Sequence, residues 1–431
     1  MLRAFSNAFK IPDLRGKILF TLAIVAVYRF GSYVPIPGVD YSVLQGVIQQ
    51  FNATGVGQLL NLFSGGALSQ LAVFALGIMP YITASIIMQL LTVVIPKLEQ
   101  LQKEGETGTK RITQYTRYLT VVLAILQSTG LITLIQSGQL FQGIPEAAGL
   151  IPNPTLGIRA LMVLTLTAGT AFIMWLGELI TQRGIGNGMS LIIFSAIVSE
   201  LPSQGAAILR SDNGQVLFPI TLVVGLALIV GVVFVEQGQR RIPVQYAKRQ
   251  VGRRTYGGTS TYIPLKVNQS GVIPIIFASS LLYLPQLLST IVQNPTLTDI
   301  VNRYFGGNAH PVYVGTFFVL TIFFAYFYTA ITFNPIDVAD NMKKYGGFIP
   351  GIRPGRPTAE YLDRVLTRIT LPGSLYLATL AILPFIVLGV AGVQFPFGGT
   401  TLLIVVGVGL ETMKQLESQL LQRHYEGFLR G

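Results

Sequence analysis

The sequence predicts an all-α membrane protein that crosses the bilayer ten times, in two inverted halves of five helices. Hydrophobic residues make up 51% of the 431 residues and charged residues only 11%, whereas a typical soluble domain carries about 25% charged residues. A transmembrane helix needs about 20 apolar residues, so this composition provides for about ten spans. The apolar runs are continuous rather than alternating, which argues against a β-barrel. The same figures exclude a soluble enzyme, a disordered chain and a coiled coil.

Long apolar segments with few or no charges mark the predicted spans. Five of them fall in each predicted half, residues 1–205 and residues 206–431. Because five is odd, the second half would run inverted relative to the first, as in many transport proteins with a site near the midplane. The spans lie near residues 18–35, 77–95, 118–136, 158–177, 187–201, 216–235, 271–292, 312–333, 371–390 and 400–416.

The basic residues fall in alternate predicted loops. The chain has 30 Lys and Arg, and nearly all of them lie in the two terminal segments and in every second loop. Cytoplasmic loops carry the excess of Lys and Arg in membrane proteins, so both termini are predicted to be cytoplasmic and the number of spans to be even. The four exceptions, on or near the opposite side, are Arg29, Arg159, Arg210 and Arg303.

Residues 56–95 form an uncharged stretch that is too long for one span. As a single helix it would be about 60 Å long, twice the hydrocarbon thickness. The first span ends outside and Lys97 must again be cytoplasmic, so only an odd number of crossings fits between them. We therefore predict one span plus a re-entrant segment at 58–75, with the break at Gly77 and Pro80; two spans joined by a tight turn are the alternative. Backbone at membrane depth must be buried in protein or face a water-filled cavity.

Ionisable groups are scarce within the predicted spans. Glu178, Glu200, Glu236 and Glu411 are at span ends, whereas proton pumps and ion-coupled transporters usually need charges at depth. The sequence has no cysteine, two histidines, no H-E-x-x-H pattern and no P-loop, so we expect no metal, no cofactor and no enzymatic activity. Energy for any uphill transport would then come from a partner.

Two predicted cytoplasmic loops, 236–268 and 334–370, are longer than a minimal connection requires. The first holds seven cations, three tyrosines and four glycines. One interpretation is that these cations only anchor the topology. The other is that they dock an anionic partner, such as ribosomal RNA or an acidic motor protein. The length and the Tyr and Gly content favour docking.

A series of segments in this order and at these spacings resembles the SecY family of bacterial protein-conducting channels over nearly the whole length. The segments that carry the resemblance are FGSYVPIPGVD (30–40), NLFSGGALSQLAVFALGIMPYITASIIMQLL (61–91), KEGETGTKRITQYTRY (103–118), MWLGELITQRGIGNGMSLIIF (174–194), GQRRIPVQYAKRQVGRR (238–254), PLKVNQSGVIPIIFASS (264–280), FNPIDVADNMKKYGGFIPGIRPG (333–355) and FGGTTLLIVVGV (397–408).

The resemblance implies ten helices in two inverted halves clamped around an hourglass pore. The re-entrant segment would be a plug near 61–72, with Asn61, Phe63, Ser64, Gly65 and Gly66. A ring of aliphatic side chains would close the pore, and such a ring excludes water and ions yet can deform around a passing chain. By resemblance, the ring consists of Ile78, Ile82, Ile193, Ile276 and Ile404.

The resemblance also implies a lateral gate and a docking surface. The gate would lie between spans 77–95 and 118–136 on one side and spans 271–292 and 312–333 on the other. Proline within a helix removes hydrogen bonds and can make it flexible, and polar side chains could bond across a closed gate. The candidate gate residues are Gln89, Gln127, Pro274 and Pro285. The candidate docking residues are Arg240, Arg241, Lys248, Arg253, Arg254 and Arg353.

The function implied is a passive channel for unfolded secretory polypeptides that also releases hydrophobic segments sideways into lipid. Its expected partners are small SecE- and SecG-like membrane subunits, the SecA motor ATPase, the ribosome, signal peptides, preproteins and membrane lipid. Its expected location is the bacterial plasma (inner) membrane. A secondary transporter of small solutes also suits the span number, but the oversized basic loops and the missing midplane charges argue against it. An intramembrane hydrolase would need a paired nucleophile and base at depth, which the sequence lacks.

Overall fold

The computed structural model is mainly helical. It describes residues 9, 11–44, 46–47, 64–136, 150–152, 155–209, 214–246, 249–251, 254–256, 260–292, 295–305, 310–391 and 399–429. The helices among them are α1 (Pro12–Gly31), α2 (Met79–Val94), α3 (Pro96–Lys103), α4 (Glu106–Gln136), α5 (Leu156–Arg183), α6 (Gly188–Leu209), α7 (Gly214–Gln237), α8 (Ile273–Val292), α9 (Pro295–Phe305), α10 (Pro311–Thr332), α11 (Pro335–Lys344), α12 (Arg356–Ala391) and α13 (Gly399–Leu429).

Each predicted span overlaps one of these helices. Within the described residues, five helical stretches are long and apolar enough to cross a membrane by themselves: Glu106–Gln136, Leu156–Arg183, Gly214–Gln237, Pro311–Lys344 and Arg356–Leu383. The bent pair α2 and α3 would make a sixth, and α6 and α8 contain shorter apolar runs. The membrane-protein class is thus confirmed, and the count of ten crossings stays a prediction.

Proline and polar caps set several helix starts. Pro12, Pro96 and Pro335 occupy the first turns of α1, α3 and α11, where the missing N–H leaves no bond unmade and the fixed φ suits the helix. Ile95, just before Pro96, is extended (φ −100°, ψ 110°), as the proline ring requires. The chain therefore bends by 100° between α2 and α3. At the start of α11, Asn334 caps the backbone N–H of Ile336 at 3.1 Å.

The predicted loop 236–268 contains a β-hairpin. Strands β1 (Gln239–Tyr246) and β4 (Ser260–Lys266) pair antiparallel, and the short β5 (Gly347–Phe348) joins the other edge of β1. We call these three strands the basic sheet. Two short strands of the same segment, β2 (Arg249–Val251) and β3 (Arg254–Tyr256), pair with each other.

The chain forms two compact units. The first comprises Met1–Thr221, Ser280–Tyr313 and Ile404–Gly431, and the second comprises Leu222–Ser279 and Val314–Leu403. The core of the first unit includes Leu44, Leu71 and Leu166, which are fully buried. These units do not test the two inverted halves predicted from the sequence, residues 1–205 and 206–431, which stay a prediction.

The core of the second unit lies beneath the basic sheet. Ile242 and Val244 from β1 and Leu265 from β4 pack against Met342 of α11 and Leu362 of α12. Burying a side chain of this kind contributes roughly 1.5–3 kcal/mol. The basic sheet is therefore held to the helices by apolar contacts from one face.

Candidate functional site

Residues 64–78, which we call the turn segment, connect to α2 through a series of turns rather than a continuous helix. Every residue in it is buried or half-buried. The Ile36 N–H donates to the Leu71 carbonyl at 2.9 Å, and the Val73 N–H donates to the Val34 carbonyl at 2.8 Å. Irregular backbone can lie at membrane depth only when it is buried in protein or faces a water-filled cavity, and these two bonds satisfy some of its polar groups within the protein.

Left-handed backbone shapes the turn segment. Gly65, Gly66 and Gly77 have φ of +62°, +80° and +56°, a region that residues with a Cβ rarely adopt. Leu71 has φ +42° although it is fully buried. The helix that follows begins at Met79. The predicted break at Gly77 and Pro80 is thus confirmed.

Aromatic stacking and a close helix approach hold the rest of the turn segment. The Phe74 ring stacks on Tyr28 of α1 at 5.8 Å between centroids and on Phe172 of α5 at 6.1 Å. A Cβ added at Gly169 of α5 would overlap the Val73 carbonyl. Glycine at 169 therefore lets α5 approach the backbone of the turn segment directly.

The Ser64-Gly65-Gly66 tip of the turn segment lies between α1 and α6. The Arg29 Nη1 donates to the Gly65 carbonyl at 2.8 Å. A Cβ added at Gly65 would stand 2.8 Å from the Ala196 Cβ, and one added at Gly66 would overlap the Glu200 carboxylate. Two of the predicted plug residues, Asn61 and Phe63, lie outside the described residues.

Arg29 and Glu200 contact the turn segment, and the sequence pattern predicted neither contact. By pattern alone, Glu200 is a span-end carboxylate and Arg29 an exception to the charge rule. That exception was the signal available, because a cation on the side that carries few cations needs a local reason.

All five predicted pore-ring isoleucines are buried. Their side chains are between 1% and 8% exposed, and each lies at the start or within the first two turns of its helix: Ile78 and Ile82 at α2, Ile193 in α6, Ile276 in α8 and Ile404 in α13. The Ile82 N–H donates to the Ile78 carbonyl at 3.1 Å, so these two share one helix face. Ile276 belongs to the second unit and the others to the first. Their assembly into one ring stays a prediction.

The four candidate gate residues differ in setting. Gln127 of α4 is buried, and Gln89 of α2 is half-buried with its backbone carbonyl accepting from the Thr92 hydroxyl at 2.7 Å. Pro285 lies inside α8, as the flexibility argument requires. Pro274 is the second residue of α8, where the helix has no backbone bond to lose. Pro274 therefore removes no hydrogen bond of the helix, contrary to that argument, and its place in a gate stays a prediction.

Three of the candidate docking residues are exposed on the second unit. Arg240, Arg241 and Arg353 are exposed, and the Arg241 guanidinium stacks over the Tyr262 ring at 4.8 Å. The Arg353 carbonyl accepts from the Thr358 hydroxyl at 2.8 Å. Two glycines in the left-handed region, Gly351 at φ +83° and Gly355 at φ +96°, flank Arg353, so the backbone turns on both sides of it. Arg254 lies in β3, and Lys248 and Arg253 lie outside the described residues.

Comparison with known proteins identifies the same family over most of the chain. The SecY family model matches residues 72–413. The chain is 60% identical over 440 residues to the protein translocase subunit SecY of Streptomyces scabiei, and the match covers 100% of both chains. It is 56% identical over 444 residues to the protein translocase subunit SecY of Mycobacterium tuberculosis H37Rv, again covering 100% of both.

Solved protein-conducting channels share the fold. A SecY channel whose plug domain stabilises the closed state has a TM-score of 0.62 and 16% identity, covering 93% of this chain and 91% of that one. Sec61 in the canine ribosome–channel complex from the endoplasmic reticulum has a TM-score of 0.56 and 16% identity, with coverages of 93% and 91%. At 16% identity, the likeness to these two structures shows a shared fold and no more.

Proposed function

Since this chain belongs to the SecY family, we propose how its buried isoleucines, turn segment and basic sheet serve polypeptide transport. The protein is a membrane-embedded, non-enzymatic subunit of a protein translocase, and it forms the protein-conducting channel. In our proposal, unfolded secretory chains pass through the pore and hydrophobic segments leave sideways into lipid.

The observation that carries this proposal is the buried, non-helical turn segment ahead of α2. A chain that only needed to cross the membrane would continue as a helix, because a helix satisfies its own backbone. Here the chain instead forms turns with small residues and left-handed glycines. Residues 61–72 would act as a plug that fills the outer side of the closed pore and swings away when a chain enters.

The pore itself would be closed by Ile78, Ile82, Ile193, Ile276 and Ile404. Side chains of this kind offer no hydrogen bond, so they exclude ions by keeping the constriction dry. They also give no preference for one translocated sequence over another.

A lateral gate between α2 and α4 on one side and α8 and α10 on the other would release hydrophobic segments into lipid. Pro285 supplies a weak point within α8. The buried amide of Gln127 and the half-buried amide of Gln89 would bond within the closed gate. An entering signal peptide would replace those contacts.

The exposed cations of the second unit would receive the partner that supplies the energy. Arg240, Arg241 and Arg353 are exposed, and guanidinium groups bind phosphates and carboxylates through paired hydrogen bonds. One related structure is a ribosome–channel complex, which supports ribosomal RNA as one target. The acidic surface of a SecA-type ATPase would be the other, and small SecE- and SecG-like subunits would brace the channel in the membrane.

The same charges support an orientation. We propose that both termini and the basic sheet face the cytoplasm, in a bacterial plasma membrane, because Lys and Arg accumulate on the cytoplasmic side. Residues 1–205 and 206–431 would then be two inverted halves of five spans each. The pore would lie between them.

Reconstitution tests the proposed function. Vesicles that contain this chain with its small subunits should make an added preprotein resistant to external protease when the motor ATPase and ATP are present. Vesicles with an empty membrane should not. If the vesicles instead take up small solutes and never protect the preprotein, the protein is a solute transporter and the channel proposal fails.

A further inference from the structure

Arg29 is a cation on the side of the membrane that is predicted to carry few cations. It lies in the last turn of α1, among the four cations on the predicted outer side. Charged side chains near the membrane are costly unless they are paired or bonded to carbonyl groups. Two of the other three, Arg159 and Arg303, are exposed at the surface.

Arg29 bonds to the tip of the turn segment. Its Nη1 donates to the Gly65 carbonyl at 2.8 Å and its Nη2 donates to the Tyr33 hydroxyl at 3.2 Å. A guanidinium makes two such bonds from a planar fork, which a lysine cannot reproduce. The neighbouring Tyr28 hydroxyl reaches the Ser64 carbonyl at 3.4 Å. One face of the tip is thus held by successive residues of α1.

The opposite face of the tip lies against α6. A Cβ at Gly66 would overlap the Glu200 carboxylate, and a Cβ at Gly65 would stand 2.8 Å from the Ala196 Cβ. Both glycines have positive φ. The tip therefore fits between α1 and α6 only with two glycines in this conformation, and the fit brings the Gly65 carbonyl to Arg29.

We propose that Arg29 is the positioning residue that holds the turn segment in the closed channel, with α6 as the surface it is held against. The inference rests on the proposed function, since it takes the turn segment as the plug. Movement of the tip would break the Arg29–Gly65 bond, so the bond favours the closed state alone. A charge-assisted bond of this kind shifts an equilibrium by about ten- to a hundredfold.

The test is the resting ion conductance of the assembled complex in planar bilayers, measured with potassium chloride and no preprotein. Arg29→Ala should raise the open fraction about tenfold or more. Arg29→Lys, which keeps the charge near the end of α1 but not the fork, should give an intermediate rise. Arg159→Ala is the matched control, because it removes an exposed cation from the same predicted side, and it should leave the conductance unchanged.

A second variant changes Gly65, the other partner in the same contact. Gly65→Ala puts a Cβ against Ala196 at a positive φ and should raise the conductance while Arg29 is intact. The double variant Arg29→Ala with Gly65→Ala should leak no more than the larger single one, since coupled residues are not additive. Additive effects would contradict a shared contact.

Unchanged conductance in assembled Arg29→Ala would overturn the proposal, as would an equal rise in Arg159→Ala. If Arg29→Ala fails to assemble, Arg29→Lys and Gly65→Ala decide the question by the same criterion. Preprotein protection is measured in parallel. If the unsubstituted protein does not protect the preprotein, the channel function is refuted. If protection is normal and no variant leaks, only the role of Arg29 is refuted.

Discussion

The isoleucine sites and the basic sheet are built on opposite principles. The five isoleucines are at most 8% exposed and offer no polar group. In the basic sheet and the turn beside it, Arg240, Arg241 and Arg353 are exposed, and the apolar side chains beneath the sheet serve only to hold it. In the proposed channel, the isoleucines would exclude water without selecting a ligand, and the basic sheet would present charge to a partner.

In the proposed channel, passage of the polypeptide and recognition of the partner therefore depend on different residues. A pore that made hydrogen bonds would prefer some translocated sequences over others, whereas an aliphatic constriction has no such preference. Specific contact with a charged partner is then left to the surface. Substitutions in the two regions should therefore fail in different ways.

The largest expected effect is the loss of partner-driven transport in Arg353→Glu. Reversing a docking charge replaces attraction with repulsion, so we expect preprotein transport to fall by more than about tenfold. Membrane insertion of the subunit and its resting conductance should be unchanged. Arg356→Ala is the control, because its side chain is 91% exposed and pairs with Glu360 on the surface. Transport by Arg353→Glu at the normal rate would contradict the docking role.

The second largest expected effect is an increased resting ion leak in Ile276→Asn. A polar side chain at a dry constriction allows water to enter, and we expect a severalfold rise in ion conductance while partner binding stays normal. Leu281→Asn, at a site on the same helix that is 41% exposed, should not leak. A leak of equal size from both positions would mean that Ile276 is ordinary packing.

A smaller effect is expected from Leu265→Ala beneath the basic sheet. Leu265 is fully buried, and such truncations cost about 2–5 kcal/mol. The β1–β4 hairpin should be cut faster by protease in the intact protein, and partner binding should weaken in proportion. Thr261→Ala, at an exposed position of the same strand, should behave as the unsubstituted protein. Unaltered cleavage of Leu265→Ala would show that the sheet does not depend on this core.

The smallest effect concerns the packing of α4 on α5. Arg117 donates two hydrogen bonds to Glu178, at 2.7 and 2.8 Å, but its side chain is 37% exposed. Arg117→Ala should therefore lower stability by only about 1 kcal/mol, with transport near normal. Lys110→Ala, which breaks a fully surface pair with Glu106, should not be detectable in thermal unfolding. A severe loss in Arg117→Ala would show that this pair has a role in transport.

The helices could be predicted from sequence because their signal is local. Each long apolar run that was predicted to be a span overlaps a described helix, and Gly77 with Pro80 correctly indicated where α2 begins. Helix ends were predicted less well. Helix α4 begins at Glu106 rather than near residue 118, since a helix can continue beyond the bilayer when its residues are charged. Hydropathy detects only the apolar part.

The hairpin and the plug contacts could not be found in this way. In β1, Ile242 and Val244 alternate with exposed residues, but two short alternations among many cations are a weak signal. Proline is unfavourable within a strand, and Pro243 is tolerated in β1 because β5 pairs with β1 at Gln245 and Tyr246, away from Pro243. The contact of Arg29 with Gly65 joins distant parts of the chain. Only the packing of α1 and α6 around the turn segment reveals it.

Photo-crosslinking from this chain to a stalled, ribosome-tethered secretory polypeptide tests directly whether the isoleucines line the path of the translocated chain. Probes would replace Ile82, Ile276 and Ile404 one at a time in reconstituted complexes, with controls at Phe234, which is 81% exposed on α7, and at Arg353. We expect the three isoleucine positions to label the secretory chain and the two controls not to label it. If no isoleucine position labels a chain that is demonstrably inserted, or if Phe234 labels it equally, the isoleucines do not form the polypeptide path.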